Sequence, residues 1–110
     1  MCGICGIFHF NNTLSISEVL LNKMTQRLSH RGPDAAGIWS DEKKTIGLGH
    51  RRLTILDKSD LANQPMFDNE KNVVVVLNGE IYNHGDLRQE LIEMGAGFKT
   101  QTSDTEILIE

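Results

Sequence analysis

The 110 residues are enough for one domain with a modest core and leave no room for a second active site. Hydrophobic residues at 39% and charged residues at 24% exclude a disordered, collagen-like or transmembrane class. A net charge of −4, with Arg51-Arg52 as the longest basic cluster, offers nucleic acid no electrostatic footprint.

The N-terminus lacks a basic and apolar leader, and the longest apolar run, Val73 to Leu77, is too short to span a bilayer. No membrane partner is expected. A cytoplasmic location follows, where a disulfide between Cys2 and Cys5 would not persist.

In chain order, Gly3 to Phe10 is apolar, ends at Asn11-Asn12 and predicts a buried strand starting almost at the terminus. Ser15 and Glu18 have the spacing of a capping box, and Leu20 or Leu21, Met24 and Leu28 continue at helical spacing, which predicts a helix from about Ile16 to Leu28. His30-Arg31-Gly32-Pro33-Asp34 must be a loop, because Pro33 restricts Gly32 and blocks a helical turn. A hairpin is expected next, with strands at Gly37 to Ser40 and from Ile46 towards Leu56 around a charged turn at Asp41 to Lys44.

Asp57 to Asn72 is polar and reads as a surface connection. Val73 to Leu77, four of its five residues β-branched, predicts a central strand buried on both faces. Asn78-Gly79 predicts a tight turn with Glu80 to Tyr82 returning as a strand. Asp86 is the expected cap of a helix that Gly95 ends, followed by a strand at Phe98 to Gln101 and a further helix with Ser103 as N-cap and Glu106 at N3. That last helix would be cut off after about two turns, below the length at which a helix is stable alone, so the chain reads as a fragment.

Cys2 is the first residue that carries chemistry. Removal of Met1 would leave a thiol and a free α-amine on one residue, two groups that titrate within about one pH unit of each other, so that the amine can relay the thiol proton. An unprocessed leader is the plain alternative. Cys2 and Cys5 also form a C-x-x-C, with His9 as a conceivable third metal ligand. A structural zinc site needs four ligands, and no second cysteine pair exists, so no metal site is expected and Cys5 reads as a small buried hydrophobe.

Five motifs stand in order along the chain: Met1-Cys2-Gly3-Ile4, His30-Arg31-Gly32-Pro33-Asp34, His50-Arg51-Arg52-Leu53, Asn78-Gly79-Glu80-Ile81-Tyr82-Asn83 and Ser103-Asp104-Thr105-Glu106. In order and spacing they resemble class II glutamine amidotransferase domains, and the Gly-Pro-Asp of the second resembles the asparagine synthetase branch. The resemblance implies an α+β fold, the N-terminal part of the four-layer αββα sandwich of N-terminal-nucleophile hydrolases.

It further implies that Cys2 attacks the side-chain amide of L-glutamine, with Asn78 and Gly79 as the oxyanion hole. Arg52 would grip the α-carboxylate, and Glu80 and Asp104 the α-amine. Backbone near Ile55 and Leu56 would add hydrogen bonds. Arg31, Gly32 and Asp34 would organise the glutamine loop, without a firm chemical role. The choice of Arg52 over Arg51 rests on alignment, and each residue has a plainer reading: a hairpin turn for Asn78-Gly79, a surface charge for Arg52, a first-turn helix acid for Asp104.

The implied reaction is hydrolysis of glutamine through a γ-glutamyl thioester on Cys2, with ammonia passing to a C-terminal synthetase domain absent from this chain. There aspartate would be activated by ATP and Mg²⁺. No cofactor is expected in these residues, which contain no Gly-rich phosphate loop. Another class II amidotransferase with a different acceptor, or a non-catalytic glutamine-binding remnant, are the alternatives, and a homodimer is one assembly open to it.

Overall fold

A computed structural model of the chain describes residues 1–11, 13–55 and 59–110. It is built on β3 (Ile46–Arg52), which pairs antiparallel with β1 (Gly3–Phe8) on one side and β2 (Ala35–Ser40) on the other. The side-chain period of two sends Gly3, Cys5, Gly47 and Gly49 to one face, where helix α1 (Glu18–Arg27) packs. Small residues are needed there. A Cβ on Gly49 would stand 2.2 Å from Thr25 Oγ1, so the glycines let the helix lie close on the sheet.

A second, two-stranded antiparallel sheet pairs β4 (Met66–Phe67) with β5 (Val74–Val75). It sits against the other face, with Trp39 meeting Phe67 edge to face at 6.3 Å between ring centroids. Helix α2 (His84–Glu93) follows, then a 3₁₀ turn, Thr105–Leu108. Ile16, Leu21, Ala62, Met66 and Ile107 are buried hydrophobics, drawn from five different segments. The architecture is α+β, as expected. Among the described residues no helix is long and apolar enough to cross a membrane.

The first helix, the hairpin and the end of α2 at Gly95, whose φ is +99°, agree with the sequence reading, whereas the first strand forms but ends at Phe8 and is not buried, with Ile4 and Phe8 exposed on the face away from α1. Several further details differ. The N-cap of α1 is Ser17, whose Oγ accepts from the Leu20 N–H, and not Ser15. Ile16 is buried and its N–H is held by the Lys44 carbonyl, which keeps residues 15 and 16 outside the helix.

The run from Val73 to Leu77 is not a central strand. Only Val74 and Val75 pair, with β4, while Val73 is exposed and both backbone groups of Leu77 bond to side chains, those of Gln64 and His50. Asn78-Gly79 forms no tight hairpin, since neither residue adopts the positive φ that such a turn requires, and residues 80 to 82 do not return as a strand. Instead the Ile81 N–H donates to Asp104.

Asp86 lies in the first turn of α2, and Asn83 is the capping position. Phe98 to Gln101 is not a strand, because the N–H groups of Lys99 and Thr100 donate to the Glu106 carboxylate. The same bonds remove Glu106 from a capping role. Asp104, not Ser103, precedes the final turn. Strand β3 stops at Arg52, where the backbone of Leu53 and Thr54 turns to Cys2 and Asp34.

Candidate functional site

The C-terminal end of β3 and the start of β1 lie side by side, since Gly3 pairs with Arg51. This brings Cys2 beside Leu53. The Leu53 N–H donates to Cys2 Sγ at 3.4 Å and the thiol donates to the Leu53 carbonyl at 3.7 Å, so both backbone groups of one residue hold the sulfur. Arg31 Nε donates to the Cys2 carbonyl at 3.0 Å, which gives this loop residue a definite contact with the cysteine backbone.

Gly32 makes that contact geometrically available. A Cβ there would lie 2.4 Å from the carbonyl carbon and oxygen of Arg51, so only glycine lets the loop press onto β3. Arg51 answers by donating from Nε to the Gly32 carbonyl at 2.7 Å. Asp34 accepts from the Thr54 N–H at 2.7 Å, which ties the far end of the loop to the chain leaving β3.

Cys2, Arg52, Ile55, Gly79, Glu80 and Asp104 line one cleft. Residues more than one hundred positions apart thus meet around one sulfur. Arg51 and Arg52 separate because consecutive strand residues face opposite ways: Arg51 turns to the His30–Asp34 loop, Arg52 to the cleft. Arg52 is buried, and its Nη1 donates to the Ser59 carbonyl at 2.8 Å and Asn63 Oδ1 at 2.7 Å. Across from it Asp104 Oδ2 accepts from the Ile81 N–H at 2.8 Å, which fixes this carboxylate against the segment that carries Glu80.

Asn78 is exposed and does not line the cleft, although its neighbour Gly79 does. Leu56 lies outside the described residues. Cys2 and Cys5 point apart, as an odd separation along a strand demands, with Cys5 Sγ 3.4 Å from Thr25 Oγ1 under α1. The two thiols therefore share no ligand position.

Sequence reasoning missed six further lining residues: Leu53, Ala62, Gln64, Leu77, Ser103 and Thr105. Gln64 and Ala62 stand in a polar stretch with no chemical signature, and Thr105 sits inside a motif read for its acid. His50, in one of the motifs, is fully buried on β3 next to the cleft. Burial holds its imidazole below the ordinary range, opposed by its bond to the Leu77 carbonyl and reinforced by the Arg52 charge.

Residues 1–110 match the family model described as a glutamine amidotransferase domain, and the chain belongs to that family. It is 40% identical, over 99% of its length, to glutamine-hydrolyzing asparagine synthetase 1 of Bacillus subtilis (strain 168). It is 37% identical over 100% of its length to a putative glutamine-hydrolyzing asparagine synthetase 2 of Methanocaldococcus jannaschii, and 41% identical over 83% to the glutamine-hydrolyzing asparagine synthetase of Brassica oleracea. The alignments cover 17%, 23% and 15% of those proteins, so the chain spans less than a quarter of each.

Proposed function

We propose that this domain hydrolyses the side-chain amide of free L-glutamine, with Cys2 as nucleophile. The observation that carries the proposal is the composition of the cleft: one thiol, one guanidinium from Arg52, and the carboxylates of Glu80 and Asp104 around the same space. Free glutamine has a carboxylate, an ammonium and an amide. Arg52 suits the first through the planar fork of its guanidinium, Asp104 and Glu80 suit the second, and the amide is then directed to the sulfur.

In this reading Met1, which is 73% exposed, is removed to free the Cys2 amine. The amine takes the thiol proton as sulfur attacks the amide carbon. The oxygen becomes negative and is met by the Gly79 N–H, with the Asn78 side chain swinging in as its second donor when glutamine binds. Collapse expels ammonia, which carries away the proton held by the amine, and leaves a γ-glutamyl thioester. Water attacks the thioester carbon, glutamate departs and the thiol is restored.

The larger reading is of a glutaminase part of a glutamine-hydrolysing asparagine synthetase, folded as part of a four-layer αββα sandwich and acting in the cytoplasm. Ammonia would pass to a synthetase domain beyond these residues, where ATP and Mg²⁺ activate aspartate. Among the described residues no group of three His, Cys, Asp or Glu side chains is arranged to hold a metal.

Cys2→Ala in the full-length protein tests the mechanism. It is expected to abolish glutamine-dependent ammonia release, and mass spectrometry of quenched wild type should find the thioester on Cys2. Unchanged ammonia release from the variant would refute the mechanism.

A further inference from the structure

Two walls of the cleft come from distant parts of the chain, the stretch 77 to 80 after β5 and the stretch 103 to 105 leading into the last turn, and among the described residues no strand pairing joins them. Among the same residues two side chains do: Asp104, which accepts from the Ile81 N–H, and Gln64, which bonds to both stretches from outside them. Gln64 Oε1 accepts from the Leu77 N–H at 2.5 Å, and Gln64 Nε2 donates to Thr105 Oγ1 at 3.1 Å. The amide orientation is dictated by its partner, because an N–H can be met only by the oxygen end.

Its seat is equally defined. The Gln64 backbone lies directly on β2 at Gly37, where a Cβ would come within 2.2 Å of the Gln64 carbonyl oxygen. At the other backbone group of Leu77, His50 Nε2 stands 3.2 Å from the carbonyl oxygen. Both backbone groups of Leu77 are thus engaged by side chains, and the chain leaving it towards Gly79 starts from a fixed peptide. Thr105 Oγ1 in turn lies 3.5 Å from Asp104 Oδ1.

We infer that Gln64 is a positioning residue for glutamine hydrolysis, bracing the backbone that leads to the Gly79 oxyanion donor against the Thr105–Asp104 segment that receives the substrate ammonium. The inference rests on the Cys2 reading above. The two arms act on different quantities. The Oε1 arm orients a donor used as charge develops on the oxygen and bears on kcat; the Nε2 arm holds an anion that meets bound substrate and bears on KM.

The test is steady-state glutaminase kinetics on the full-length protein with Gln64→Met, Thr105→Val and the double variant. Gln64→Met preserves side-chain length and deletes both arms, and is expected to lower kcat about ten- to hundredfold and to raise KM. Thr105→Val deletes one arm and is expected to raise KM about fivefold with kcat within about twofold of wild type. In the double variant the KM increase should not exceed that of Gln64→Met alone, because the same bond has been removed.

Gln64→Met with both constants near wild type, while Cys2→Ala is inactive, overturns the brace and leaves the nucleophile standing. Independent, multiplying KM effects overturn it too. An active Cys2→Ala removes the reading of the site and this inference with it. Should Gln64→Met fail to accumulate as folded protein, Thr105→Val decides: a raised KM at wild-type kcat supports the brace, and unchanged KM overturns it.

Discussion

Leu53 presents its N–H and its carbonyl to the same atom, Cys2 Sγ, at 3.4 and 3.7 Å. The sulfur is therefore placed by the backbone just beyond the end of β3, and Arg31 holds the cysteine carbonyl. With position secured, the remaining requirement of the proposed mechanism is chemical: the amine of Cys2 must be free to take the thiol proton.

Protein that keeps Met1 is accordingly expected to bind glutamine and release no ammonia. Intact-mass measurement of the preparation, set beside an ammonia assay, checks this. Activity proportional to the unprocessed fraction would rule out the amine as base.

Arg51 and Arg52 should differ sharply. Arg52→Lys keeps the charge but loses the fork and the bonds to Ser59 and Asn63, so KM for glutamine should rise about ten- to hundredfold. Arg51→Lys touches the Gly32 and Pro33 carbonyls, away from the cleft, and should leave KM within about threefold while lowering the urea midpoint. The reverse pattern in initial-rate kinetics would exchange the two roles.

Glu106 is 2% exposed and accepts from the N–H of Lys99 and Thr100 and from the Thr100 hydroxyl, with Arg88 Nη2 at 3.9 Å. Arg88 also stacks on Phe98 at 4.1 Å. Replacing Glu106 by Gln puts an NH₂ among donors. A loss of about 2–4 kcal/mol is expected from urea unfolding, because buried groups are left without partners.

His50 sets a pH dependence whose sign can be worked out. Burial holds its folded pKa below the ordinary 6.5, so below that pH the unfolded chain binds a proton that the folded one refuses. Its contribution is intact above pH 6.5 and is lost as pH falls from there towards the lowered folded value. Thermal unfolding from pH 7.5 to 5.5, about one unit either side of the free imidazole pKa, should show a falling Tm. The slope should be shallower in His50→Gln, whose amide can still donate to Leu77.

The local pieces were readable from the residues because local forces make them. A continuous apolar run marked β1, helical apolar spacing marked α1, a charged turn marked the β2–β3 hairpin and Gly95 marked the end of α2, since each depends on neighbours within a few positions. The reading failed where side chains from afar outbid local preference. Val73 to Leu77 has every local property of a central strand, yet only Val74 and Val75 pair, the Asp68 carboxylate takes the Val73 N–H, and Gln64 and His50 take both backbone groups of Leu77. Phe98 to Gln101 loses its strand to the Glu106 carboxylate in the same way.

The chemistry divides likewise. The order of its motifs resembles a known family, and it was that resemblance, beyond residue type and spacing, that singled out Cys2, Glu80, Asp104 and the Arg51-Arg52 pair as candidates. Which arginine faces the sulfur, what Arg31 and Asp34 hold, and that Gln64 joins two walls of the cleft were decided only by the tertiary structure. Those are contacts between positions tens of residues apart, and a linear pattern contains no term for the direction in which a side chain leaves a strand once distant segments have packed against it.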